Sequence, residues 1–173
     1  MPTFQNGGVK GLDPLRLGFD MMNVVLLEPE IAANTGNIGR SCVAAGAALH
    51  LIRPLGFVVT DKNIKRAGMD YWYELDLHYY DNFEDFLAKN GDARLFLTSS
   101  KVERSYASVK YDEGAFIIFG KESAGIPREI LARYPDRCVR IPMMPDVRCL
   151  NLSSSVSIVL YEALRQQEFR GLV

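Results

Sequence analysis

Short apolar runs alternate with longer stretches of helical periodicity from about residue 22 onward. Five of these runs are bounded by turn-forming residues and are rich in β-branched and aromatic side chains, which is typical of buried parallel strands. They lie at Asn23–Leu27, Ala48–Ile52, 94–98, 115–119 and 138–141, with a weaker candidate at 78–80. The pattern therefore predicts a sheet whose strands are mostly parallel.

Helical segments fill the intervals between these runs. They are predicted at 35–45, 82–89, 127–134 and 153–167. The last is the most regular, because its apolar residues fall on one face at the helical period. These residues are Val156, Val159, Leu160, Ala163 and Leu164. Strands that alternate with helices predict an α/β fold, with a mostly parallel sheet flanked by helices. We expect a loose extension over residues 1–21 and a single domain over residues 22–173.

Composition and charge narrow the class of protein. The chain has 173 residues, 48% of them apolar and 24% charged, as in an ordinary globular domain with one core. Its formal net charge of −1 favours a metabolic enzyme over a nucleic-acid binder, so an RNA partner would need a local basic patch or a surface formed by oligomerisation. No apolar run is long enough to span a bilayer, and no secretion signal is recognisable at the start. We expect a cytoplasmic protein without membrane contact.

The cysteines give no sign of a metal site or a disulfide. Cys42, Cys138 and Cys149 are far apart and form no C-x-x-C pair, and the chain has only two histidines. This pattern is typical of reduced thiols in the cytosol, and it predicts no metal.

The first motif, N-T-G-N-I-G-R at residues 34–40, follows the first predicted strand. Asn34 or Thr35 is expected to cap a helix whose exposed amides can hold an anion, and the glycines permit close backbone approach. Arg40 could then grip a phosphate or lie against a ribose. A capped helix with packing glycines and a surface arginine also explains the segment. It is not a G-x-G-x-x-G sequence, so a dinucleotide site is disfavoured.

The second motif, F-G-K-E-S-A-G-I-P at residues 119–127, leaves one strand and enters a helix with Pro127 in its first turn. Gly120 and Gly125 leave room for a flat ligand such as adenine, and a side chain at Gly120 would project into that ligand's space. Glu122 is the only acid in the segment and could orient a basic residue or a ribose. Alternatively, the segment is a simple connection in which Glu122 is solvated.

The third motif, I-P-M-M-P-D-V-R-C-L-N-L-S-S-S-V, occupies residues 141–156. Met143 and Met144, between two prolines, predict an irregular apolar loop that could enclose a thioether ligand. Asn151 and Ser153 are expected to cap the last helix and to offer hydrogen bonds to a cofactor or a ribose. A proline-rich turn with a serine-rich cap is the alternative, but it gives Arg148 and Asn151 no reason to occupy so constrained a loop.

A basic and aromatic cluster precedes the third predicted strand. It could grip phosphates and stack on bases, although a solvated helix followed by core aromatics fits equally well. Its members are Lys62, Lys65, Arg66, Tyr71, Trp72 and Tyr73.

The three motifs in this order, together with K-N-I-K-R-A-G-M-D-Y at residues 62–71, resemble the SPOUT superfamily of methyltransferases, and most nearly its TrmL group, also called YibK or CspR. The resemblance covers residues 22 to about 167. It implies a homodimer that uses S-adenosylmethionine, releases S-adenosylhomocysteine, and methylates the ribose 2′-oxygen of the wobble nucleotide, a cytidine or modified uridine, in the tRNA anticodon. It also implies a deep trefoil knot made by the second and third motifs. Cys149 departs from the usual serine, and Gly39 from a bulkier residue in some relatives.

The resemblance also suggests roles for individual residues. Arg40 would stabilise negative charge on the 2′-oxygen, Asn34 would hold Arg40 or the ribose, and Glu122 would fix the arginine or its loop. The full catalytic set is Arg40, Asn34, Glu122, Arg148, Asn151 and Ser153. The cofactor would contact Leu97, Thr98, Gly120, Ile141, Cys149 and Leu150, mainly through backbone groups. The RNA would contact Lys62, Lys65, Arg66 and Arg40.

Two other functions remain open at this stage. A member of the same family could methylate ribosomal RNA, although such branches often carry an added RNA-binding domain. A protein on this fold could also bind or assemble RNA without catalysis, against which Arg40 in its motif argues.

Overall fold

The computed structural model describes residues 20–59, 70–92, 94–147 and 149–173. Within that part of the chain, six strands and four α-helices alternate in an α/β arrangement. The strands are β1 Asn23–Leu27, β2 Ala48–Ile52, β3 Leu77–Tyr80, β4 Leu95–Thr98, β5 Phe116–Phe119 and β6 Cys138–Val139. The helices are α1 Ala32–Ala45, α2 Phe83–Asn90, α3 Arg128–Arg133 and α4 Leu152–Gln166, with short 3₁₀ turns at Asp70–Glu74, Tyr106–Ser108 and Pro135–Arg137.

The six strands form one sheet in the order β3-β2-β1-β5-β4-β6, and every pairing is parallel. From β1 the chain builds outward through β2 to β3, and the later strands build the opposite half. The boundary between β1 and β5 is therefore a topological switch point, where open α/β sheets bind ligands beyond the carboxyl ends of their strands. The first motif follows β1 and the second follows β5, so the two lie side by side at this edge.

Two apolar layers cover the sheet. Alternate residues of β1 point to opposite faces, with Val24 and Leu26 in one cluster and Val25 and Leu27 in the other. The first cluster contains α1 and α4, and the second contains α2 and α3. The five apolar residues predicted on one face of the last helix are all buried in the first cluster, as expected: Val156, Val159, Leu160, Ala163 and Leu164.

The predicted strands are confirmed, with the last three shortened by one or two residues and the weak candidate extended to Leu77–Tyr80 at the sheet edge. The prediction for α1 is wrong at its start, because the helix begins at Ala32 and Asn34 and Thr35 lie inside it. Helix α3 begins at Arg128, with Pro127 as the residue before it. The division between an extension and a domain stays a prediction, since residues 1–19 lie outside the described part.

Within the described residues, no helix has both the length and the apolar character needed to cross a membrane.

A buried polar group lies inside the sheet. His50 on β2 is 3% exposed. Its Nδ1 is 2.8 Å from the Tyr80 hydroxyl and its Nε2 is 3.0 Å from Asn23 Oδ1. The Asn23 side-chain nitrogen donates to the carbonyls of Met21 and Gly114, so the Asn23 oxygen faces the ring. A neutral imidazole that donates from Nε2 accepts the Tyr80 proton at Nδ1, and the other acceptor near this hydroxyl, Asn90 Oδ1, is farther away at 3.5 Å.

This histidine makes stability depend on pH. Burial, and secondarily the neighbouring His78, lower the pKa of His50 from 6.5 to about 3. As pH falls from about 6.5 toward 3, the unfolded chain binds a proton at His50 that the folded chain does not. The free energy of unfolding therefore falls by up to about 1.4 kcal/mol per pH unit. We expect urea unfolding between about pH 4 and 7 to show a steeper fall for the wild type than for His50→Gln.

His78→Gln is the comparison variant, because it removes the exposed histidine that stacks on the His50 ring and keeps the rings of Tyr80, Phe86 and Phe116 around it. It should keep most of the wild-type slope. Equal slopes for the wild type and His50→Gln would show that His50 is charged in the folded protein.

Candidate active site

Helix α1 begins against a carboxylate from the second motif. The residue before the helix, Ile31, makes no side-chain cap. Instead Glu122 accepts hydrogen bonds from the amides of Glu30 at 2.8 Å and Ile31 at 3.2 Å. The negative charge satisfies amides at the positive end of the helix. The anion predicted for this helix start is thus the chain's own Glu122, and Glu122 is not merely solvated.

Asn34 joins all three motifs. Its side-chain nitrogen donates to Glu122 Oε1 at 2.9 Å, and its oxygen accepts from the Asn151 side chain at 3.0 Å. These partners are 88 and 117 residues away in the chain. Asn34 is 7% exposed, whereas Glu122 is half-buried and Asn151 is exposed, so the connection is partly buried. A residue of each motif therefore contributes to one hydrogen-bonded unit beyond the ends of the strands.

The structure gives Asn34 a different partner from the one predicted. Arg40 lies six residues farther along α1, which at 100° per residue places the two side chains about 120° apart around the helix. The printed contacts of Asn34 are to Glu122 and Asn151. Of the two partners predicted for Asn34, Arg40 is therefore not supported, and the ribose stays a prediction. Glu122 is predicted to fix the arginine or the loop, and its contacts are with the segment that starts α1.

Asn151 caps α4 as predicted. Its side-chain oxygen accepts from the Ser153 amide at 2.9 Å and from the Ser153 hydroxyl at 2.7 Å. Ser153 lies within the first turn and is not itself the cap. A second contact between α1 and α4, besides that of Asn34 with Asn151, joins the hydroxyls of Ser41 and Ser157 at 3.2 Å. These two contacts hold α4 against α1.

A reciprocal set of contacts fastens the second motif to the segment after β1. Glu30 accepts from the Ser123 amide at 2.9 Å and from its hydroxyl at 2.8 Å, and these bonds lower the pKa of Glu30. Glu28 pairs with Lys121 at 3.0 Å, and this pair raises the pKa of Lys121. Each loop thus supplies acids to the other, which fixes their relative position.

Gly120 has a different environment from the predicted one. A Cβ placed on Gly120 would lie 2.1 Å from the Gly125 carbonyl carbon and 2.2 Å from the Ile126 nitrogen. The second motif folds back on itself, with the Gly125 amide donating to the Lys121 carbonyl at 2.8 Å. The expectation that a side chain here projects into a ligand's space is wrong, because the chain's own backbone fills that space.

The residues predicted to contact the cofactor lie at the ends of three neighbouring strands. Leu97 and Thr98 end β4, and the Thr98 hydroxyl donates to the Ile118 carbonyl at 2.8 Å. Gly120 follows β5, and Ile141 follows β6. All of them belong to the half of the sheet on one side of the switch point.

The end of the third motif, at Cys149 and Leu150, returns to the carboxyl end of β4. The Cys149 sulfur lies 3.5 Å from the Ser100 hydroxyl, just beyond the end of β4. Leu150 is the next residue and is 41% exposed. The six predicted cofactor contacts therefore surround one region at the carboxyl edge of β4, β5 and β6.

The loop between Ile141 and Leu150 suits a partly apolar ligand. Met144 is 76% exposed and Val147 is 55% exposed, so apolar surface remains uncovered here. The described residues of this loop belong to no helix or strand, so their amides and carbonyls are not used in a helix or a sheet. Such amides and carbonyls can bond an adenine edge or the polar groups of an amino-acid moiety. The loop therefore offers apolar surface and backbone hydrogen-bonding groups to a ligand that has both apolar and polar parts.

Arg40 lies on the exposed side of α1 and stacks on an aromatic ring. Its guanidinium carbon is 5.0 Å from the centre of the Tyr71 ring. In the part of the chain that the structure describes, Arg40 forms no ion pair with a carboxylate. Its N–H groups therefore stay available to donate hydrogen bonds to an anion. The two predicted roles of Arg40, binding a phosphate and stabilising a developing oxyanion, both require this.

The aromatic cluster is divided between the two predicted roles. Trp72 is 9% exposed and belongs to the core, whereas Tyr73 is 46% exposed. Tyr71 is half-buried, and its hydroxyl donates to the Gly36 carbonyl at 2.6 Å. The predicted base-stacking cluster is thus in part a packing surface for α1.

Four predicted site residues lie outside the described part of the chain, and their roles stay predictions. They are Lys62, Lys65, Arg66 and Arg148. All three cysteines are free, with Cys42 and Cys138 buried and Cys149 exposed. Burial raises the pKa of the Cys42 thiol to about 12. Among the described residues, no group of three or more His, Cys, Asp and Glu side chains is placed to hold a metal ion.

The sequence interpretation missed the fastening residues Glu28, Glu30, Lys121 and Ser123. Their signal was the E-P-E sequence directly after β1 and the K-E-S sequence directly after β5, which place opposite charges after two strands. Pairing these segments requires knowing that β1 and β5 are neighbours. That neighbour relation is not contained in the local pattern.

The fold and the three converging motifs define an RNA methylase of the SpoU type. The profile of the SpoU rRNA Methylase family matches residues 21–161, and the chain belongs to this family.

Similar proteins carry more specific descriptions. The tRNA (cytidine(34)-2'-O)-methyltransferase of Escherichia coli K12 is 43% identical over 154 residues, which cover 88% of this chain and 98% of the relative. A solved structure concerned with the 2-OH methylation of C/U34 on tRNA superposes with a TM-score of 0.80 at 44% identity, covering 87% of this chain and 99% of the other. An AdoMet-bound rRNA methyltransferase from Sinorhizobium meliloti gives a TM-score of 0.73 at 26% identity, covering 85% and 57% respectively.

Proposed function

We propose that this protein is an S-adenosylmethionine-dependent tRNA 2′-O-methyltransferase that modifies the ribose of the wobble nucleotide, a cytidine or modified uridine. The observation that carries the proposal is the bonding of Asn34 to both Glu122 and Asn151, which assembles the three motifs beside the switch point of the sheet. The tRNA-methylating relative from Escherichia coli matches almost over its full length and supports tRNA as the substrate.

The cofactor supplies the methyl group when it is bound. Leu97, Thr98, Gly120, Ile141, Cys149 and Leu150 would hold it, chiefly through backbone groups. The apolar loop that includes Met144 would exclude water from the reacting centre. S-adenosylhomocysteine is the product, and the reaction needs no metal.

Arg40 is the residue proposed to act on the RNA. A ribose 2′-hydroxyl is a poor nucleophile, so the protein must position its oxygen and stabilise the charge that grows there as the proton leaves. Arg40 lies on the exposed side of α1, with its guanidinium free of carboxylate partners among the described residues. Asn34, Glu122, Asn151 and Ser153 keep the start of α1 and the third motif in place around it.

The remaining parts of the proposal concern assembly. The second and third motifs form a trefoil knot, and two chains pair through this region into a homodimer. Pairing doubles the basic surface that Lys62, Lys65, Arg66 and Arg40 present to the anticodon region. A dimer could therefore bind RNA although each chain has a net charge near zero. The enzyme works in the cytoplasm on tRNA.

The decisive experiment incubates the protein with S-adenosylmethionine and total RNA, and then maps the new 2′-O-methyl groups. We expect them at the wobble position of a subset of tRNAs, and the same positions should be unmethylated in cells that lack the protein. Methyl groups confined to ribosomal RNA would replace the tRNA assignment with the rRNA one. Failure to bind the cofactor in a calorimetric titration would favour a non-catalytic RNA-binding protein. A monomer in sedimentation velocity that still methylates tRNA would exclude the dimer.

A further inference from the structure

Three contacts tie Tyr71 to one face of α1. The ring lies 5.0 Å beneath the Arg40 guanidinium carbon, and the hydroxyl donates to the Gly36 carbonyl at 2.6 Å. The ring edge lies 3.5 Å from the place where a Cβ on Gly39 would stand. Gly36, Gly39 and Arg40 are spaced by three and four residues, so they share a face of the helix. Tyr71 packs along this face, directly below the arginine.

The glycines of the first motif make this packing possible. A Cβ on Gly39 would also lie 3.2 Å from Leu75 and 3.4 Å from Trp72, so a larger residue would move the turn Asp70–Glu74 away from α1. The Gly36 carbonyl has two lone pairs, one for the helical amide four residues on, which belongs to Arg40, and one for the Tyr71 hydroxyl. The tyrosine is therefore fixed to the same turn of helix that carries the arginine.

An arginine side chain with many rotamers must be held in one direction to act on a single oxygen. Arg40 is exposed, and among the described residues no carboxylate anchors it. A guanidinium that stacks flat on a ring keeps its N–H groups at the rim of the plane, where they can donate to an anion. An aromatic anchor thus restrains the arginine without neutralising its charge, which a carboxylate would do.

We propose that Tyr71 is a positioning residue for Arg40, aiming the guanidinium at the ribose oxygen through the face of its ring. The inference rests on the proposed function and adds a residue to it. Tyr71 acts on the rate of the methyl transfer through Arg40, and it does not act by stacking on an RNA base.

The test is a double-mutant cycle in single-turnover methylation of tRNA. Tyr71→Leu removes the ring face and should lower the rate constant at saturating tRNA by at least about tenfold, with little change in tRNA or cofactor affinity. Tyr71→Phe keeps the ring and loses the hydroxyl that bonds to Gly36, so it should retain most of the rate. In an Arg40→Ala background, Tyr71→Leu should add less than about a twofold loss, because the group on which it acts is gone.

The control is Tyr79→Leu. In the wild type the Arg53 guanidinium carbon lies 5.3 Å from the centre of the Tyr79 ring, a comparable contact on the edge strand β3. This variant should leave the rate unchanged. Thermal melts of all variants separate loss of rate from loss of fold. The inference is overturned if Tyr71→Leu keeps the wild-type rate, if it weakens tRNA affinity instead, or if its effect multiplies with that of Arg40→Ala. If the wild type does not methylate tRNA at all, that result contradicts the proposed function itself and not only the role of Tyr71.

Discussion

Arg40→Ala is expected to lose about a hundredfold or more in the rate of tRNA methylation, since removing one donor to a developing oxyanion costs about 3 kcal/mol of transition-state stabilisation. Cofactor affinity should survive, because Arg40 lies on α1 whereas the proposed cofactor contacts lie at the ends of β4, β5 and β6. The folded state should also survive, because the Arg40 side chain is exposed. Single-turnover methylation and a calorimetric cofactor titration measure the two effects separately.

Arg170→Ala provides the matched control. This arginine is also exposed, and it pairs with Glu113, which precedes β5 and so lies toward the opposite edge of the sheet. Its variant should methylate at the wild-type rate. Near wild-type turnover in Arg40→Ala would remove the arginine from the mechanism.

Gly120→Ala is expected to lower the melting temperature markedly. The backbone angle φ of Gly120 lies outside the left-handed region, so the cost comes from the overlap of the new methyl group with Gly125 and Ile126. Backbone atoms cannot give way as a flexible side chain can, and overpacking of this kind costs about 1–3 kcal/mol or more. For a domain of this size, each kcal/mol corresponds to a shift of about 2–4 °C in the midpoint of a thermal melt.

Gly46→Ala separates sterics from backbone conformation. Gly46 ends α1 with φ of 61°, and a Cβ there meets no atom within 4 Å. Its cost is thus the left-handed conformation alone, about 1–2 kcal/mol. We expect a larger melting shift for Gly120→Ala than for Gly46→Ala. An unchanged melting temperature with cofactor affinity lost would restore the ligand-space interpretation of Gly120.

The strands and the buried face of α4 could be predicted because both depend on local patterns. Apolar runs such as Asn23–Leu27 and the spacing of Val156 and Leu160 record burial directly in the sequence. The positions of Asn34, Glu122 and Asn151 in three ordered motifs also indicated that they act together. What failed was the assignment of partners. The sequence predicts that Asn34 or Thr35 caps α1, because short polar residues usually cap helices, whereas the acid that bonds to the amides there is Glu122, far along the chain.

Gly120 illustrates the same limit. Its sequence context indicates that a side chain does not fit at this position, but it does not show which atoms occupy the space that a Cβ would fill. A ligand and the returning backbone of Gly125 exclude a Cβ equally well, and only the path of the loop distinguishes them. Tyr71 could be identified as an aromatic residue near basic ones, but its relation to Arg40 depends on how the turn Asp70–Glu74 packs on α1.

The bond between Asn34 and Asn151 has a consequence for the chain while it is being made. Asn34 acquires one of its two side-chain partners only after 117 further residues have been added. Until then α4 is missing from the core that supports α1, and the third motif has not joined the other two. A ribosome-bound nascent chain that still lacks this segment therefore has no assembled site, and the site can form only late in synthesis.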